Sequence, residues 1–159
     1  MISVAAAIRK LLILDLDGTL WGGYAATEII FGVKDGTEGT AFQNFQQYVK
    51  VMQKCGVMLA VCSLNDDAVA RRPFTDRQMP LQLSDFSSFR ANWNDKVDNI
   101  ISIGRELKIK THEMVFVDNC PNQRENVRNC LPKVAVPELP DDPGRYIETL
   151  KAGRWFTCY

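Results

Sequence analysis

Four short apolar runs govern what this chain can become. Ile8 to Leu14, Val57 to Cys62, Met114 to Val117 and Val134 to Val136 are almost continuously hydrophobic. Runs of this kind mark strands buried on both faces, as in a parallel sheet. Segments of helical period lie between them. Phe42, Phe45, Val49 and Met52 share one face of Ala41 to Lys54, which Cys55-Gly56 closes. Val97, Ile100, Ile101 and Leu107 do the same within Asp95 to Lys108. Further helices are predicted over Asp66 to Arg72, stopped by Pro73, over Gln123 to Cys130 from about Pro121, and over Pro143 to Leu150. Leu83 to Ala91 is expected to hold a short strand at most. Glycine-rich Trp21 to Gly39 reads as a loop with a small hairpin around Ile29-Ile30-Phe31. Strands alternating with helices predict an α/β domain, a three-layer Rossmann-like parallel sheet with helices on both faces. No repeat or linker interrupts the pattern, so residues 1–159 are expected to form one domain.

In open sheets of this type ligands bind beyond the carboxyl ends of the strands. The residues just after each run therefore decide the chemistry. Asp15 and Asp17 come after the first, Ser63 and Leu64-Asn65-Asp66 after the second, Asp118 and Asn119 after the third, and Lys96 opens the intervening helix. Residues i and i+2 of an extended segment point the same way, so Asp15 and Asp17 face one site. Their repulsion is relieved by a cation, and oxygen ligands suit Mg²⁺, which takes one or two carboxylates, waters and substrate phosphate. Asp118 can complete the set. A carboxylate beside such an ion can attack phosphorus, and a second carboxyl nearby can protonate the leaving oxygen and later take a proton from water. Ser63 and Asn65 are candidate phosphate-binding groups, and Lys96 supplies a point charge suited to phosphate. The formal charges of Asp15, Asp17 and Asp118, about −3, balance those of Mg²⁺ and Lys96, about +3. Each element alone is a common turn or cap. Their joint occurrence in order is what carries weight.

Composition narrows the field. Lys plus Arg equals Asp plus Glu, 19 each, with no basic block, so nucleic acid is not an expected partner. No apolar stretch approaches the ~20 residues of a membrane span. Met1 to Ile8 is too short for a signal peptide and is expected to lead into the first strand. Five cysteines without a CxxC pair suggest reduced thiols in the cytoplasm rather than a disulfide framework. The single histidine, His112, excludes a histidine triad and reads as a surface turn residue.

DLDGTLW, CSLND, NWNDK and VFVDN resemble the four motifs of the haloacid dehalogenase superfamily of phosphatases and phosphotransferases. LDLDGTLWGG, GVMLAVCSLND, LSDFSSFRANWNDKVDNI, FVDNCPNQRENVR and LPKVAVPELPDDP are similar to its FkbH-like subgroup, from about Leu11 to Leu150. The resemblance implies Asp15 as nucleophile and metal ligand. It implies Asp17 as general acid/base, giving its carbonyl to Mg²⁺, and Ser63 as phosphate-binding hydroxyl. Lys96 becomes the conserved lysine and Asp118 the acidic metal site. It further implies a glyceryl unit taken from 1,3-bisphosphoglycerate onto an acyl carrier protein. Longer members of the subgroup carry flanking regions beyond this match. The chain departs from the subgroup at Asn119, where a second aspartate is usual. An amide can hold a metal-bound water but brings no charge, so weaker Mg²⁺ affinity is expected with the nucleophile intact. The short Gly18 to Gly56 and Asp66 to Asp95 segments leave no room for a separate cap domain. A minimal cap and an open site are expected. Two alternatives remain: a stand-alone phosphatase of a sugar phosphate or other metabolite, and a weakened module docking a carrier protein.

Several residues have two readings. Cys62 is a buried hydrophobe or an acyl acceptor. Cys120 is loop packing or a site residue. Trp21 is a lid or hairpin packing. Arg71-Arg72 is a solvated helix end or a dock for an acidic partner. Asn65 doubles as a helix cap. Phe89 and Trp93 are expected in the core, and Trp155 to Tyr159 is expected to pack back on the domain.

Overall fold

The computed structural model of the chain describes residues 8–33 and 36–157. Four strands, β1 (Leu11–Leu14), β4 (Met58–Leu64), β5 (Ser88–Asn92) and β6 (Met114–Val117), form a parallel sheet in the order β5-β4-β1-β6. β2 (Gly22–Tyr24) and β3 (Ile29–Phe31) form a separate antiparallel hairpin. The helices are α1 (Gly36–Lys54), α2 (Asp67–Arg71), α3 (Lys96–Leu107), α4 (Pro121–Cys130) and α5 (Tyr146–Gly153).

Two-residue periodicity splits each central strand between two cores. Leu12, Leu14, Leu59, Val61, Val115 and Val117 face one side with Phe45, Val49 and Met52 of α1 and Leu150 of α5. Leu11, Ile13, Ala60, Cys62, Met114 and Phe116 face the other with Ile100 and Ile103 of α3 and Val127 of α4. This is the three-layer arrangement that the apolar runs require. A satellite of edge-on rings, Trp21, Phe74, Phe86 and Phe89, extends the first core beneath the hairpin. The hairpin is the only strand-forming insertion described between β1 and α1, which is the minimal cap expected.

Several expectations need correction. Val134 to Val136 is not a strand of the sheet; Ala135 makes an isolated parallel bridge to Val115. The three-residue run is too short to extend a ladder. The fourth strand is β5 at the opposite edge, beside β4, and it falls largely in the Leu83 to Ala91 stretch expected to hold a short strand. Trp93 is 69% exposed rather than core, because its indole Nε1 reaches out to Asp66 Oδ1 at 2.8 Å. Phe89 is half-buried in the ring cluster. His112 lies in an exposed turn before β6. Arg71 pairs with Asp67 and Arg72 with Glu28 on the surface, the solvated reading. Cys62, Cys120 and Cys130 are free thiols, but Cys55 is disulfide-bonded, so the all-reduced reading fails there. An odd count weighs against a framework of bridges and does not forbid one. Phe156 is buried and Trp155 O accepts from Arg9 N–H at 2.7 Å, so these two residues pack back as expected, and Cys158-Tyr159 lie outside the described residues. The reading of Met1 to Ala7 lies outside the described residues. No helix among the described residues is long and apolar enough to cross a membrane.

Leu12 is fully buried at the centre of the first core. Leu12→Ala is expected to cost about 3 kcal/mol of stability, the usual scale for a buried leucine lost from a packed core. Urea unfolding read by circular dichroism measures it, and a cost under about 1 kcal/mol would contradict this packing.

Candidate active site

Because the strands are parallel, the segments leaving β1, β4 and β6 emerge at one edge of the sheet. Asp15 steps off β1 with its N–H still donating to Val117 O at 3.0 Å. Lys96 is the first residue of α3, whose N-terminus Asp95 caps by accepting from Val97 N–H at 2.7 Å. That entry angle sends the lysine side chain inward rather than to solvent. Its Nζ donates to Asp15 Oδ1 at 2.9 Å and to Asp118 Oδ2 at 2.6 Å. The Phe116 ring lies 5.9 Å from the ammonium. Asp118 Oδ1 is taken by Cys120 N–H at 2.8 Å. Behind it, Arg124 Nη1 donates to Asp118 O at 3.0 Å while Nη2 pairs with Glu138 at 2.6 Å.

Charges this deep persist only when paired. Burial pulls Lys96 down, but Asp15 and Asp118 outweigh it and hold the ammonium above its ordinary value. Burial pushes the Asp15 carboxyl up to about 6; Lys96 opposes this and Asp118 adds to it. Loss of water around Asp15 is thus the main reason its carboxyl is raised, and the single ammonium between two carboxylates offsets only part of it.

The second part of the site explains where further positive charge fits. Asn119 Oδ1 faces Asp17 O at 3.0 Å and Asp15 Oδ2 at 3.2 Å. In this orientation three oxygens converge, and the Thr19 hydroxyl alone offers Asn119 Oδ1 a proton, at 3.3 Å. Rotating the amide by half a turn would make its NH₂ a donor to both. A cation at their centre satisfies the same oxygens with the amide as it stands. The spacing suits Mg²⁺, since octahedral bonds of about 2.0–2.1 Å place adjacent ligands about 3 Å apart. Asp15, the Asp17 carbonyl and Asn119 therefore fit a partial ligand set. Thr19 steadies it: its hydroxyl accepts from Asn119 N–H at 3.2 Å and donates to Asn119 Oδ1 at 3.3 Å. Gly18 turns the chain at φ 77°, and a Cβ there would lie 2.3 Å from the Asn119 amide.

The side chain of Asp17 points elsewhere. Its Oδ1 accepts from Trp21 Nε1 at 2.8 Å and from Ala25 N–H at 2.9 Å, and its Oδ2 from Asn65 Nδ2 at 3.0 Å. Asn65 Nδ2 also reaches Ser63 Oγ at 3.1 Å. So Ser63, Asn65 and Asp17 form one polar chain beside the ion-paired trio. Among the described residues no three His, Cys, Asp or Glu side chains gather around a common centre. The anticipated carboxylate cluster is replaced, because Asp118 faces Lys96 and Asp17 faces the hairpin. Asn65 is no helix cap; Asp66 holds that position. Trp21 is fully buried against Phe74 and holds Asp17 from below, so it is packing and not a lid. Cys62 is fully buried, with its thiol pushed up to about 12 by burial, so it offers no nucleophile for an acyl group.

Sequence reasoning missed Thr19, Arg124 and Tyr146. The Tyr146 hydroxyl donates to Gly18 O at 2.9 Å, tying α5 to the turn after β1. Arg124 sits in a helix of polar residues with no pattern to single it out. A cleft of about 620 Å³ opens beside Gly18 and Asn119, between Phe31 of the hairpin and the Pro140 to Pro143 loop. Asp15, Ser63 and Lys96 do not line it.

No family model matches the chain, and no curated protein matches it. Solved structures do. The N-terminal part of a Bacteroides fragilis protein, containing a phosphatase domain and complexed with Mg, superposes with TM-score 0.92 at 42% identity. The match covers 98% of this chain and 43% of that one, so this chain spans less than half of that relative's length. A magnesium complex of a haloacid dehalogenase family enzyme from Bacteroides thetaiotaomicron matches with TM-score 0.60 at 12% identity, over 91% of this chain and 99% of that one. A predicted hydrolase of the same family from Porphyromonas gingivalis matches with TM-score 0.60 at 13% identity, over 93% and 98%. The fold is thus the haloacid dehalogenase fold with a minimal cap.

Two stability measurements test the electrostatics. Lys96→Met leaves two buried carboxylates unpaired and is expected to cost about 3–5 kcal/mol at neutral pH; a cost below about 1 kcal/mol would contradict the trio. Asp15 titrates near 3.8 when unfolded and near 6 here, so its contribution is fully present below the first value and is lost as pH rises through the second. In metal-free buffer at pH 8, Asp15→Asn is therefore expected to raise the melting temperature by about 2–6 °C. A lowered melting temperature would contradict it.

Proposed function

We propose that this haloacid dehalogenase fold works as a Mg²⁺-dependent phosphomonoesterase or phosphotransferase through an aspartyl-phosphate on Asp15. The observation that carries the reading is the convergence of Asp15 Oδ2, Asp17 O and Asn119 Oδ1 beside the Lys96 ammonium. Mg²⁺ bound there would neutralise charge on the phosphoryl group and orient its oxygens. The Asp15 carboxylate forms the new O–P bond as the bond to the leaving alcohol oxygen breaks, and Asp17 supplies that oxygen's proton. Asp17 then takes a proton from water as the water oxygen attacks phosphorus, releasing phosphate and the Asp15 carboxylate. Lys96 holds Asp15 in place throughout. Ser63, with Asn65 fixing its Oγ, presents a hydroxyl to a phosphate oxygen.

Asp118 enters as the partner that fixes Lys96, and Asn119 as the direct metal ligand. That assignment makes the amide at 119 a working part of the site and argues against a merely weakened docking module. The motif resemblance to the FkbH-like subgroup supports glyceryl transfer to a carrier protein as a finer reading. A buried Cys62, and a cleft without a described cationic side chain to hold a second anionic group, favour simple hydrolysis of a phosphorylated small molecule instead.

Purified protein is expected to release phosphate from p-nitrophenyl phosphate only with Mg²⁺, and Asp15→Asn to lower kcat by at least about a thousandfold. Turnover that ignores Mg²⁺ or survives Asp15→Asn would overturn the reading. Asn119→Asp adds a negative ligand and is expected to lower the Mg²⁺ concentration giving half-maximal turnover. An unchanged or raised requirement would contradict direct ligation by residue 119.

A further inference from the structure

The cleft beside Asn119 has walls of different character. Phe31 and Phe42 give it an apolar side, and the Pro140 to Pro143 loop brings Asp141 and Asp142 to its rim. Among the described residues no Lys, Arg or His lines it. Its shape is fixed rather than open to collapse. Tyr146, which also lines it, is buried and donates to Gly18 O at 2.9 Å, so the start of α5 and the turn at Gly18 are held together. The Asp142 carboxylate is steadied by accepting Gly144 N–H at 2.8 Å.

The cleft is lined by Gly18 and by Asn119, whose amide lies 3.2 Å from Asp15 Oδ2, so it is the cavity that adjoins a phosphoryl group held at Asp15. We propose that the cleft receives the leaving alcohol and that Asp141 and Asp142 select against alcohols bearing a second anion. The substrate class is then a phosphomonoester of a cationic or neutral alcohol, such as an amino alcohol or amino sugar. This rests on the phosphatase reading of the site. Two carboxylates near a leaving group at a solvent-exposed rim are worth roughly tenfold between opposite charges at low salt, and added salt should shrink the difference.

The test compares kcat/KM for three esters of similar size, 2-aminoethyl, 2-hydroxyethyl and carboxymethyl phosphate, with Mg²⁺ at low ionic strength. Wild type is expected to prefer the aminoethyl over the carboxymethyl ester by roughly tenfold beyond the ratio shown by Asp141→Asn/Asp142→Asn. Comparing the two proteins cancels the esters' intrinsic reactivities. Asn at 142 keeps an acceptor for Gly144 N–H, and Asp141→Lys, which leaves that turn untouched, should reverse the preference. Equal ratios in wild type and variants, or a difference indifferent to salt, would overturn the selectivity while leaving the phosphatase reading standing. No Mg²⁺-dependent turnover of any ester would overturn both.

Discussion

One ammonium shared between two buried carboxylates is the constraint on which this molecule's chemistry depends. Lys96 reaches both Asp15 and Asp118, and those residues come from strands that are neighbours in the sheet and distant in sequence. Forming the trio therefore requires β1 and β6 to be paired and α3 to be docked on the same face. Burial raises Asp15, with Lys96 opposing and Asp118 adding to it, and the Asn119 amide lies against Asp17 O and Asp15 Oδ2. A site short of positive charge in a dry place attracts a divalent cation. Charge balance in a low-dielectric setting thus links the packing of the sheet to the proposed phosphoryl transfer.

The alternation of side chains along the strands does the rest of the positioning. Phe116 and Ala60 point to the α3 side, which is where the lysine stem passes, while Leu14 and Val117 point to the α1 side. The chain then leaves β1 through a tight turn at Gly18 that is pinned from two directions, by Thr19 against Asn119 and by Tyr146 against Gly18 O. The Asp17 carbonyl is fixed by that turn, and the Asp17 carboxylate by the hairpin and Asn65. Main chain and side chain of one residue thereby serve different parts of the site.

Much of this was legible in the sequence, for identifiable reasons. β1, β4 and β6 are hydrophobic on both faces, so their runs stand out, and the residues just beyond them stand out too. β5 lies at an edge, carries Ser88 and Arg90, and so lacks the pattern; Val134 to Val136 has the pattern but too little length. At the site, the positions were readable and the orientations were not. Asp118 reads from the sequence as a metal ligand, whereas here its Oδ2 accepts from Lys96, and Asn119 reads as a lost charge, whereas its amide lies against Asp17 O and Asp15 Oδ2. Arg124 and Tyr146 gave no local signal, because what matters about them is a contact to a backbone carbonyl that no local pattern encodes. Hydrogen bonds of that kind depend on tertiary placement alone.

The central claim is that a divalent cation sits among Asp15 Oδ2, Asp17 O and Asn119 Oδ1. Crystals soaked in Mn²⁺, a hard octahedral ion with a usable anomalous signal, test it most directly. The account predicts an anomalous peak within bonding distance of all three oxygens and none at Asp118 Oδ2, with Lys96 still bridging the two aspartates. A peak bound by the Asp118 carboxylate instead, or none at this edge of the sheet, would contradict it.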